Sequence, residues 1–194
     1  MTLTTDNKKL STWLFNPFLF VGGERILLIG LIIAAVHIPI GYFLNVRFDG
    51  AIDMHLVPTD VGLLTPVIDV LIAWLSMAGC MFAAAKIFQS PMRLIDIAGA
   101  VLVARIPLLL SIGPVLLLEP DFQSIEELLN LQGSELYQLA ALSVISLLFL
   151  IWFFVLLFNA FKINSNLKGA RLWVGFIGSA IIAEIISIMI QQAV

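Results

Sequence analysis

His37, Arg105 and Glu184 have the most chemistry to offer in this chain, and each lies about eleven or twelve residues into an apolar stretch of membrane-crossing length. At about 1.5 Å of rise per helical residue, all three fall about 16–18 Å below the basic edge of their spans, near the middle of a hydrocarbon core about 30 Å thick. An arginine at that depth keeps its proton and cannot easily reach water, so it needs an acidic partner. Glu184 is the first candidate, because it shares the depth on a helix running in the same direction. Asp69, about 9 Å inside the opposite edge of its own span, is the second. The expectation is an Arg105–Glu184 ion pair between helices that fixes the bundle. The alternative is a substrate or proton pathway in which His37 titrates near neutral pH and relays a proton toward Glu184. A blander role for His37 is a neutral ring bonded to a carbonyl that proline has freed. Pro39 removes the helical partner of the Ala35 carbonyl, and Pro107 that of Val103.

The elements that must carry these residues follow from composition. A chain of 194 residues with 61% hydrophobic and 12% charged content and a mean hydropathy of +1.08 is too apolar for one water-soluble domain. Five stretches reach spanning length: Ile26 to Leu44, Leu63 to Ala85, Leu94 to Leu118, Leu136 to Phe161 and Leu172 to Ile190. The expected fold is all-α, a polytopic bundle of five transmembrane helices, with residues 1–25 as an interfacial segment and 26–190 as the bundle. Lys8, Lys9, Arg25, Lys86, Arg93, Lys162, Lys168 and Arg171 fall on one side. The other side receives Arg47 and collects Asp49, Asp53, Asp60, Glu119, Asp121, Glu126, Glu127 and Glu135. The basic side is expected to be cytoplasmic, which puts the amino terminus inside and the carboxyl terminus outside.

The first fifteen residues lack the pattern of a cleaved signal peptide. Trp13, Leu14, Phe15, Phe18, Leu19 and Phe20 read as an aromatic segment at the cytoplasmic interface. Residues 45–62, with Asp49-Gly50, Pro58 and Gly62, read as a solvated surface loop. In it Asp49, Asp53 and His55 form only a weak divalent-cation pattern. Ser124, Glu127 and the apolar Ile125, Leu128 and Leu129, stopped by Gly133, predict a short amphipathic helix on the outer leaflet. Gly175, Ser179, Ala183 and Ser187 recur every four residues and make a packing stripe. Phe149, Trp152, Phe153, Phe154, Phe158 and Phe161 suit a lipid-facing surface or an aromatic girdle. Asp96 is expected to do no more than complement a helix dipole.

No HExxH, GxSxG, Walker or Gly-rich dinucleotide motif occurs, and the lone Cys80 can form no pair with a second cysteine in the chain. An enzyme is therefore not expected, nor a cofactor or bound metal. The expected partners are the lipid bilayer and a protein partner or second copy, not nucleic acid.

Five spans, an inside amino terminus, the aromatic approach containing Asn16-Pro17-Phe18 and the Arg105-Ile106-Pro107 element together resemble the Yip-domain family of small integral membrane proteins, first known for interacting with Ypt/Rab GTPases. The resemblance covers about Asn16 to Ile190. It implies a non-enzymatic bundle with a structural or adaptor role in membrane organisation. The compact loops agree with a bacterial cytoplasmic membrane. The eukaryotic relatives carry a longer cytoplasmic amino-terminal region than the segment that precedes the first span here. The competing expectation is a small transporter or proton-coupled channel built on the midplane His/Arg/Glu cluster, the depth at which transporter sites lie.

Overall fold

A computed structural model describes residues 3–48, 50–57, 60–117 and 133–193. The described residues are all-α apart from one short hairpin. A first helix, α1 (Leu3–Phe15), leads through a single turn at Pro17–Leu19 into α2 (Gly23–Phe43). Then come α3 (Leu64–Ile87), the paired segments α4 (Leu94–Ala104) and α5 (Ile106–Leu117), α6 (Ser134–Ser165) and α7 (Gly169–Ala193). Among the described residues five helical stretches are long and apolar enough to cross a membrane, α4 and α5 counting as one. This is a multi-pass membrane protein. The expected amphipathic helix around Ser124 to Leu129 lies outside the described residues.

The third span is the most deeply buried of the five and forms the centre of the bundle. It is also broken. Pro107 has no N–H to offer the preceding turn, and α4 ends at Ala104. The Arg105 amide closes the turn on the Leu102 carbonyl at 3.2 Å, and the Arg105 carbonyl then accepts from Leu108 at 3.0 Å. The break leaves the Arg105 side chain at the hinge between two half-helices.

α2 crosses α4 at a point where two glycines bring the backbones together. A Cβ on Gly99 would lie 2.5 Å from the Leu27 amide nitrogen, and one on Gly30 would lie 2.8 Å from the Gly99 carbonyl. No side chain fits in that crossing. α7 packs chiefly on α3, and its stripe of Gly175, Ser179, Ala183 and Ser187 is buried within the protomer. A methyl on Gly175 would touch Phe161 and Phe88 at 3.1 and 3.3 Å. The stripe therefore gives no reason to invoke a second chain.

Two expectations need correction. The aromatics of α6 divide: Phe153 and Phe161 are fully buried, Phe158 stacks on Trp173 and meets Phe176 edge-on, and Phe149, Trp152 and Phe154 are half-buried, with Trp152 bonded at the basic end. The exposed face is aliphatic instead, with Val144, Leu147, Leu148 and Ile151. Large flat rings fill the space beside the glycine of the stripe, while flexible aliphatic side chains suffice against lipid.

Residues 45–62 are not a solvated loop. Val46–Arg47 pairs antiparallel with His55–Leu56, and the hairpin tip turns back into the bundle, leaving Val46, Phe48, Gly50 and Ala51 buried. Polar turn residues favour solvent exposure, but this tip finds its polar partners on the helices. Asn45, at a φ of 51°, pins both arms by accepting from Val57 through its carbonyl and from Val61 through its side-chain oxygen.

At the basic end, Trp152 and Asn159 of α6 donate to the carbonyls of Leu14 and Phe15. Trp13 stacks on Phe20 at 4.8 Å. Asp96 does more than face a dipole. It accepts the amide of Gly23 at 2.6 Å and pairs with Arg93, tying the start of α2 to the start of α4.

Candidate functional site

The four polar residues singled out near the midplane, His37, Arg105, Glu184 and Asp69, sit on α2, the third span, α7 and α3 respectively. Each of them meets the hairpin tip. His37 holds its own helix through Nδ1, 2.8 Å from the Ile33 carbonyl, so the carbonyl used is not the one freed by Pro39. Its ring packs edge-on against Phe48 with centroids 4.9 Å apart. On the same Phe48 ring lies the Arg105 guanidinium, 5.9 Å from the centroid, within the range of a cation–π contact.

Arg105 and Glu184 form no direct ion pair. Arg105 Nη1 donates to the Ala51 carbonyl at 2.8 Å, while Glu184 Oε2 accepts the Ile52 amide at 2.9 Å. The Ala51 carbonyl and the Ile52 amide belong to one peptide unit. The cation thus holds its oxygen end and the carboxylate its hydrogen end, and the amide dipole lies between two opposite charges that reinforce its polarity. The two side chains still feel each other electrostatically. A direct pair fails to form because the hairpin tip occupies the space between the helices, which sequence depth alone could not reveal.

Further bonds seat the same tip. Ser187 Oγ accepts from the Ala51 amide at 2.9 Å, and Gln191 Nε2 donates to the Phe48 carbonyl at 3.1 Å. Asp69, 1% exposed, takes Arg47 through two bonds of 2.8 and 2.9 Å, so its partner is the one basic residue on the acidic side rather than Arg105. A paired fork of this kind is specific in direction as well as favourable. Gly50 passes so close to Glu184 that a Cβ there would lie 2.5 Å from Oε1.

Sequence reasoning placed Ser187 in the stripe only and missed Phe48, Ala51 and Gln191. An apolar Phe48 beside the single basic residue of an acidic loop was the available signal. Asp53 and His55 are exposed on the hairpin, and Asp49 lies outside the described residues.

Access to the centre is narrow. Arg105 and His37 are each 1% exposed, and Phe48 and Ala51 cover them from the acidic end. Glu184 is half-buried and stands at the end of an apolar groove of about 340 Å³ between α6 and α7, lined by Ile52, Phe154, Phe176, Ala180 and Ile181. No family model, characterised protein or solved structure matches the chain.

Proposed function

We propose that this chain is a non-enzymatic integral membrane protein of the Yip type, with a structural or adaptor role in membrane organisation, and that its midplane polar residues serve to seat its own outer hairpin. One observation carries the reading: Arg105, Glu184 and Asp69 each bond to residues 47–52 of the same chain, and His37 packs on Phe48, so the chain's own hairpin takes up the middle of the bundle. A transport site must release what it binds, and covalently attached chain cannot leave. The excess of Lys and Arg at one end supports a cytoplasmic basic end with the hairpin outside, and the compact loops support a bacterial cytoplasmic membrane.

The second reading, a small transporter or proton-coupled channel, is favoured by one specific fact. Arg105 Nε and Nη2 and His37 Nε2 have no hydrogen-bond partner among the described residues. Flux through liposomes separates the two. The adaptor reading expects proton and solute leakage no faster than in empty vesicles, unchanged by Glu184→Gln or Arg105→Ala. A proton flux that Glu184→Gln abolishes would replace it with the transport reading.

A further inference from the structure

The hairpin contacts leave part of the polar centre unaccounted for. Arg105 Nε, Arg105 Nη2 and His37 Nε2 are buried, on side chains 1% exposed, and none has a hydrogen-bond partner among the described residues. Buried polar groups in folded proteins are almost always satisfied, by protein or by ordered water, because leaving them bare costs their full desolvation.

The kinds of atom specify what fits. His37 Nδ1 lies 2.8 Å from a carbonyl oxygen, which can only accept, so Nδ1 carries a proton, and in the neutral ring, which the neighbouring guanidinium favours, Nε2 presents a lone pair. Arg105 Nε and Nη2 form the side edge of the guanidinium, which presents parallel donors. The unpartnered atoms are thus donors on one residue and an acceptor on the other. An anion would satisfy the arginine edge, but it would face the histidine lone pair and compete with Glu184, whose charge already couples to Arg105. A cation would be repelled by the guanidinium. Water accepts from one and donates to the other.

We infer that the bundle holds internal water at the Nε/Nη2 edge of Arg105 and at Nε2 of His37, closed from the acidic side by the hairpin tip. Phe48, fully buried, packs on both side chains, and Ala51, also fully buried, is bonded to Arg105. Exchange of this water with bulk requires the hairpin to lift. Internal waters with polar partners of this kind are integral to a fold.

The chain has two histidines, and His55 is exposed, so a His55→Gln variant leaves His37 as the single imidazole signal. The experiment is solid-state NMR of the full chain in liposomes with ¹⁵N-labelled histidine and magnetisation transfer from water. The expected result is the Nδ1–H tautomer, with transfer from water to the His37 ring well above that to the buried Met81 methyl. The Nε2–H tautomer, or transfer no greater than to Met81, overturns the proposal. Loosening the hairpin with Asp69→Asn is expected to speed hydrogen–deuterium exchange of the His37 Nδ1–H at least about tenfold. An unchanged rate would mean that water reaches the site by another route and would overturn the hairpin's role as its cover.

Discussion

Replacing both members of the Arg105 and Glu184 couple distinguishes a peptide-bridged arrangement from a direct ion pair. In a direct buried pair, either single loss costs about 3–5 kcal/mol, because a bare charge remains, and exchanging both for apolar residues returns stability to within about 1 kcal/mol or improves it. Here the partners are the two ends of the Ala51–Ile52 peptide. Arg105→Met leaves the Ala51 carbonyl without this donor, and Glu184→Met leaves the Ile52 amide without an acceptor. Each orphaned backbone group costs about 1–3 kcal/mol, so the double variant should still lose about 2–6 kcal/mol, while the singles, each of which also leaves the other charge without its coupled partner, should sum to more than that. Glu184→Gln keeps an oxygen for the Ile52 amide and should cost less than about 1 kcal/mol. Reversible unfolding in bicelles, followed by near-ultraviolet circular dichroism, gives all four values. A double methionine variant as stable as the parent, or a Glu184→Gln loss of 3 kcal/mol or more, would refute the bridged arrangement.

Gly99→Ala drives a methyl against the Leu27 backbone at 2.5 Å and should lower stability by about 1–3 kcal/mol, whereas Gly79→Ala, with nothing within 4 Å, should be neutral or gain up to about 1 kcal/mol in the same assay. Phe48→Ala empties a fully buried site between His37 and Arg105 and should cost about 3–5 kcal/mol, read from the shift in the unfolding midpoint. Arg47→Gln removes the fork on Asp69, and amide exchange measured by mass spectrometry should rise across residues 46–57 while α3 and α7 stay protected. Trp152→Phe combined with Asn159→Ala removes the donors to Leu14 and Phe15, and limited proteolysis after Lys9 should accelerate without loss of the bundle.

The five spans could be read from hydropathy because apolar runs of that length have few other uses, and their observed bounds differ from the expected ones by a few residues at the ends. The break at Arg105 was signalled by Pro107. Depth along each helix put His37, Arg105 and Glu184 at one level, since helical rise converts position into height. What depth does not encode is what lies between helices. Nothing local in the sequence of the hairpin distinguishes a segment that faces water from one that folds inward onto charged side chains, and for Phe48 and Ala51–Ile52 that decision rests on Arg105, Glu184, Ser187 and Gln191, all distant in sequence. The burial of Phe161 was illegible for a related reason. Composition gives the size of its ring, but the gap it fills exists because Gly175 on the next helix has no side chain.

Cysteine crosslinking across the hairpin tests the central claim most directly. In a Cys80→Ala background, Ala51→Cys and Ser187→Cys replace residues whose amide and hydroxyl lie 2.9 Å apart. In membranes the pair should oxidise to a disulfide, and Ala51→Cys alone should resist a membrane-impermeant maleimide that labels the exposed Asp53→Cys. Failure to crosslink, together with labelling at position 51 as fast as at position 53, would contradict a hairpin seated in the polar centre.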